Sequence, residues 1–223
     1  MPKMPDEIKI FDDELNISPQ NFDLGIVLCV LVIIVPFIGL IPHIGMHSFR
    51  DFIYGTLSVW MLIIFNKYLK NFKNKVLTRR SIKFVILNAA LFFFTIVYYE
   101  IRSGNTERLQ HSWWPVLTVV AGLLYGISAI WMLVIQIMLG KSLQQVKNDV
   151  IGLLKQLGLM YMYALPIAYV LFATIVFVVR FKNYNIGNTT LSIAGFVMEA
   201  IPSCLILLIF YRAKQFCSKQ HFA

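Results

Sequence analysis

Residues 115–139, PVLTVVAGLLYGISAIWMLVIQIML, run for 25 positions without a charged side chain. About 20 apolar residues in a helix cross the ~30 Å hydrocarbon core of a bilayer, so this stretch alone sets the class of the fold. Its apolar residues are continuous rather than alternating, which excludes a lipid-facing strand. In hydrocarbon every backbone N–H and C=O needs a partner within the segment, and a helix supplies them. Trp113, Trp114 and Pro115 mark the entry. Two indoles suit the interface, and a proline fits the first turn, where its missing N–H is not needed.

Five more apolar runs flank it, at 24–44, 52–69, 84–99, 159–179 and 191–211. The predicted fold is all-α: a polytopic membrane protein with a bundle of six transmembrane helices over residues 24–212. An acidic tail (1–23) precedes the bundle and a basic tail (213–223) follows it. The second and third runs are short, so Lys67, Lys83 and Arg102 are expected to snorkel toward water. Composition agrees: 58% of residues are hydrophobic and 14% charged, against about 25% charged in soluble domains. The polar first 23 residues carry no cleavable signal pattern. Cys29, Cys204 and Cys217 are too few and scattered for a disulfide framework.

Fifteen of the 20 Lys and Arg residues fall on the side shared by both tails and the loops between runs two and three and runs four and five. The positive-inside rule makes that side cytoplasmic. The net charge of +9 is therefore a topology signal. Lys67, Lys70, Lys73, Lys75, Arg79 and Arg80 lie against the membrane, where they are expected to meet anionic lipid headgroups and not nucleic acid. Residues 142–157 place Leu143, Val146, Val150, Ile151 and Leu154 at helical spacing, which predicts helical extensions of spans four and five packed on one another. The sequon at Asn188 falls in the loop between runs five and six, on the opposite side.

Glu199 is the acid placed well inside an apolar run, and a carboxylate in hydrocarbon is a functional-site candidate. No Lys or Arg lies at matching depth, so a neutral or hydrogen-bonded carboxyl is expected, with Asn88 as first partner and Tyr125, Ser128 and Tyr163 behind it. Pro202 can kink this helix, and Ser203 can satisfy the carbonyls freed by the kink. A ligand, ion or switch site and a plain interhelical hydrogen bond are the two readings of this group. Gly122 and Gly126 form a small-xxx-small pair that predicts close helix packing, or a homo-oligomer face. His43, His47 and His111, with Glu100 and Glu107 nearby in topology, could hold zinc. However, Pro42 and Gly45 interrupt the helix that would align the first two, so exposed interfacial histidines are expected. No metal, cofactor or catalytic residue is predicted.

Three segments carry a family resemblance. Glu199-Ala-Ile-Pro202-Ser203, followed by an aliphatic run to Arg212, is similar to a Glu-x-Leu-Pro-Ser last helix. Arg80-Ser-Ile-Lys-Phe84-Val-Ile-Leu-Asn88 is similar to a helix entered through basic and aromatic residues before an Asn. Gly122-Leu-Leu-Tyr125-Gly126, leading to Met138-Leu139, is similar to a Gly-x-x-Leu-Tyr-Gly segment. In these, and in their order over about 130 residues, the chain resembles the plant tobamovirus-multiplication family of GPCR-like seven-helix membrane proteins. It departs from that family in having six runs, with the N-terminal helix missing. The resemblance implies a non-enzymatic, receptor-like or scaffold protein of a eukaryotic endomembrane, with membrane lipids and other membrane or cytoplasmic proteins as partners. A plasma-membrane location is the other expectation for a multi-pass protein of this kind. The residues themselves leave three alternatives: a small transporter or channel subunit using Glu199, a metal-dependent enzyme using the histidines, and an accessory subunit of a larger complex.

Overall fold

The computed structural model describes residues 19–38, 47–103, 114–146, 149, 151–181 and 188–220. Its elements are α1 (Pro19–Ile38), α2 (His47–Lys70), α3 (Lys75–Ser103), α4 (Trp114–Gln144), α5 (Leu153–Leu159), a π-helical turn (Met160–Ala164), α6 (Leu165–Phe181) and α7 (Asn188–Gln220). Since α5, the π turn and α6 are continuous, the described residues form six helices and no strand. Among the described residues, four stretches are long and apolar enough to cross a membrane: Phe52–Lys70, Lys75–Val97, Val119–Gln144 and Leu153–Val178. In α1 the apolar stretch Gln20–Pro36 is shorter. The short second and third runs sit inside longer helices, of 24 and 29 residues.

Helix reaches into both segments read as tails. α1 starts at Pro19, and Phe22 is 1% exposed, a core residue. Flanked by Asn21 and Asp23, it has no apolar neighbours in sequence to reveal it. α7 runs on through residue 213 to Gln220. There Lys214 forms an ion pair with Asp23 of α1, so two residues on either edge of the apolar region fasten the first helix to the last.

Packing follows chain order around a ring. α1 lies against α2, α2 against α3, α3 against α4, α4 against α5 and the π turn, and α5 against α7, which closes the ring on α1. The tightest seams are made by glycines. A Cβ on Gly140 of α4 would lie 2.6 Å from the Gly158 carbonyl oxygen, and one on Gly158 of α5 would lie 2.7 Å from the Gly140 oxygen. On the α1–α7 seam, a Cβ on Gly25 would meet the Phe210 ring at 2.8 Å. Phe210 is fully buried and stands edge-on to Phe22, Phe65 and Tyr68, with ring centroids 6.1–6.3 Å apart. Edge-to-face rings at this separation add to plain burial.

The segment 142–157 holds the two helix ends expected, joined by turns. α4 ends at Gln144, and tight turns follow, with Gln145 N–H donating to the Ser142 carbonyl and Val146 N–H to that of Leu143. Asp149 then stops the chain from continuing as helix. Its carboxylate accepts from the backbone N–H groups of Gly152 (3.0 Å), Leu154 (2.9 Å) and Lys155 (3.3 Å), the orphan donors at the start of α5. Gly152 takes the left-handed conformation (φ 72°) that glycine adopts without steric cost. The expected mutual packing of the two helix ends is present: Leu143, Val146 and Leu154 are buried.

Among the described residues, burial is concentrated in one half of the ring. Met61–Leu69 of α2, Leu77–Phe84 of α3, Ile135–Leu143 of α4, Leu153–Leu165 and Ser203–Ala213 of α7 hold most buried side chains. In the other half, Leu123, Leu124 and Tyr125 of α4 are all exposed although they are successive residues and point round the helix. Ile167, Val170, Leu171 and Ile175 of α6 are exposed as well. The π turn divides the two halves of its rod. Leu165 N–H bonds the Met160 carbonyl five residues back, and Pro166 has no N–H for the carbonyl of Met162 and would crowd it in a regular helix. The wider turn takes up that misfit and rotates α6 by about one residue, or ~100°, relative to α5.

Candidate functional site

The turn joining α2 to α3 builds an open basic cleft. α2 closes in three tight steps: Asn71 N–H to the Tyr68 carbonyl, Phe72 N–H to that of Leu69, and Lys73 N–H to that of Lys70. Lys73 takes the left-handed conformation (φ 49°), which costs a non-glycine residue about 1–2 kcal/mol. Asn74 starts α3, its Oδ1 accepting from Val76 N–H at 3.0 Å and Leu77 N–H at 3.1 Å. Around this turn, Lys70, Lys73, Lys75, Thr78, Arg79 and Ile82 line an open cleft of about 420 Å³. Its lining has four cations, one hydroxyl, one aliphatic side chain and no acid.

Six basic residues are predicted for the headgroup contact, and the structure separates them. Lys70, Lys73, Lys75 and Arg79 share the cleft. Lys67 is exposed one turn earlier on α2, outside the lining. Arg80 turns away: its guanidinium donates to the Ser142 hydroxyl at 2.6 Å and to the Met138 carbonyl at 3.0 Å, both on α4. Ser142 is 1% exposed and also donates back to the Met138 carbonyl. Arg80 therefore joins α3 to α4. Thr78 and Ile82 are the cleft residues that a count of basic residues does not find.

The predicted intramembrane group is distributed over several helices. Asn88 is half-buried on α3. Its amide donates to the Phe84 carbonyl at 2.9 Å and approaches the Met132 sulfur of α4 at 3.6 Å. Tyr125 is 37% exposed on α4, whereas Ser203 is buried on α7 and Pro202 half-buried beside it. α3 packs against α2 and α4, so Asn88 faces α4 and not Ser203. The Glu199 side chain lies outside the described residues, as do those of His43, His47, Glu100, Glu107 and His111. Among the described residues, no three His, Cys, Asp or Glu side chains come together.

Gly126 of the predicted glycine pair is not where α4 meets a neighbour most closely. Nothing lies within 4 Å of the position a Gly126 Cβ would take. The backbone-to-backbone approach of α4 is instead at Gly140, against Gly158. No two residues close in sequence encode that contact, so no spacing motif marks it.

Comparison with protein-family models, with curated proteins and with solved structures finds no match to this chain.

Proposed function

We propose that this chain is a non-enzymatic, multi-pass membrane protein with a receptor-like or scaffold role in a eukaryotic endomembrane, similar in plan to the tobamovirus-multiplication family. All six helices would span the bilayer, with both termini and the basic turns cytoplasmic. The observation that carries this reading is the division of the ring into two halves. The half bearing the basic turns is locked by Gly140–Gly158, Arg80–Ser142 and the Phe210 rings. The half farther from them leaves α4 exposed on successive residues. A rigid base under a laterally open upper half suits a protein that holds a membrane partner, because the exposed faces of α4 and α6 can be covered by another membrane protein as well as by lipid.

That same exposure favours one second reading, an accessory subunit of a larger membrane complex. Photo-crosslinking residues placed at Leu123, Ile127 and Ile130, all exposed on α4, test both in native membranes. Discrete adducts with one membrane protein support a scaffold or subunit role. Adducts with lipid alone refute it.

A further inference from the structure

We propose that the cleft between α2 and α3 binds the headgroup of a polyphosphorylated anionic phospholipid. Lys70, Lys73, Lys75 and Arg79 would engage its phosphates, Thr78 would donate a hydrogen bond, and Ile82 would meet the start of its acyl chains. The inference rests on the membrane-embedded reading of α2 and α3 and not on any partner protein.

Position is the first argument. Lys70 is the last residue of one apolar stretch, Phe52–Lys70, and Lys75 the first of the next, Lys75–Val97. The cleft between them thus sits where hydrocarbon ends and lipid phosphates begin. Charge is the second. Lys70, Lys75 and Arg79 alone put three cations into a lining with no acid, which is more positive charge than a headgroup with one net negative charge can balance. A headgroup with several phosphates balances it. Donor chemistry fits as well, since lysines act as point charges on phosphate and a guanidinium binds it through two parallel N–H donors. Size agrees: about 420 Å³ lies within the ~300–1,000 Å³ typical of small-ligand sites.

The backbone also limits how the ligand is held. Asn74 already accepts from the Val76 and Leu77 amides at the start of α3, so those amides are not offered to an anion. Recognition falls on the side chains, and Lys73 is carried into the lining on a backbone conformation that glycine adopts more readily.

The test titrates the full chain in detergent micelles with phosphatidylinositol bisphosphate, phosphatidylserine and soluble inositol trisphosphate, read by native mass spectrometry. The bisphosphate lipid is expected to bind in preference to phosphatidylserine. Lys70→Gln and Arg79→Gln should each weaken it about fivefold. Lys141→Gln, exposed on α4 outside the cleft, should leave it unchanged. Lys73→Gly should weaken binding without lowering thermal stability, which separates loss of the site from misfolding. Three results would overturn the proposal: equal weakening by Lys141→Gln, equal affinity for phosphatidylserine, or binding of the soluble trisphosphate without the lipid. Failure of the scaffold reading is read separately, from the crosslinks on α4.

Discussion

Gly140 and Gly158 touch backbone to backbone, each occupying the space that the other's side chain would need, within 2.6–2.7 Å of a carbonyl oxygen. They lie on opposite arms of the α4–α5 hairpin, with Asp149 midway between them in sequence. Contact at this distance lets the two helices interlock where hydrophobic burial in lipid gives little drive to associate. The atoms in the way are main-chain atoms and cannot move aside as a flexible side chain would.

Gly140→Ala and Gly158→Ala should each destabilise the protein by about 1–3 kcal/mol, the usual cost of overpacking. Gly126→Ala should have the opposite sign, since its surroundings are open and alanine favours a helix interior by roughly 0.5–1 kcal/mol. Thermal unfolding in one detergent compares the three. Equal effects at Gly126 and Gly140 would remove the interlock.

Arg80 and Ser142 form a charged-to-neutral hydrogen bond at 2.6 Å across α3 and α4. Hydrogen bonds to charged groups contribute about 1.5–3 kcal/mol. Ser142→Ala leaves Arg80 its Met138 carbonyl, so it should cost less than Arg80→Met. The double variant should cost clearly less than the sum of the two. Additive losses in a double-mutant cycle would mean that the pair is not coupled.

Asp149 gathers three amides at the start of α5. Asp149→Ala should cost about 0.5–2 kcal/mol, comparable with the loss of an N-cap side chain. It should also speed hydrogen exchange at Gly152, Leu154 and Lys155. Unchanged exchange at these three positions would show that water serves them equally well.

Phe210→Ala should be among the most damaging single changes, at about 3–5 kcal/mol. It opens a void between Gly25, Phe22, Phe65 and Tyr68. Ile167→Ala, 58% exposed on α6, should be close to neutral in the same unfolding assay.

Much of this architecture is legible from residue order, because length and hydropathy are local properties. Residues 115–139 declare a membrane helix without reference to anything else in the chain, and each other apolar run falls on a helix over its described residues, the first as far as Ile38. The basic cluster is legible for the same reason. What is not legible depends on pairs. Phe22 lies between Asn21 and Asp23, and its contacts with Tyr68 of α2 and Phe210 of α7 make it core. Gly140 and Gly158 lie on different elements, whereas Gly122 and Gly126 carry the local spacing that invites a packing assignment. Arg80 reads like its neighbour Arg79, yet one turns to α4 and the other to the cleft. The role of Asp149 at the start of α5 is not marked by a helix-start signal, since it lies four residues ahead of Leu153 and not immediately before it.

The proposed topology puts the packed, basic half of the bundle at the cytoplasmic face, with α3 and α4 passing through the membrane from the α2–α3 turn and the α4–α5 turn. Single cysteines at Asn74 and Gln145, in a background with Cys29, Cys204 and Cys217 replaced by alanine, measure it by labelling with a membrane-impermeant maleimide in sealed, oriented vesicles. Both positions should label only from the cytoplasmic face. Labelling of either from the opposite face would contradict the account.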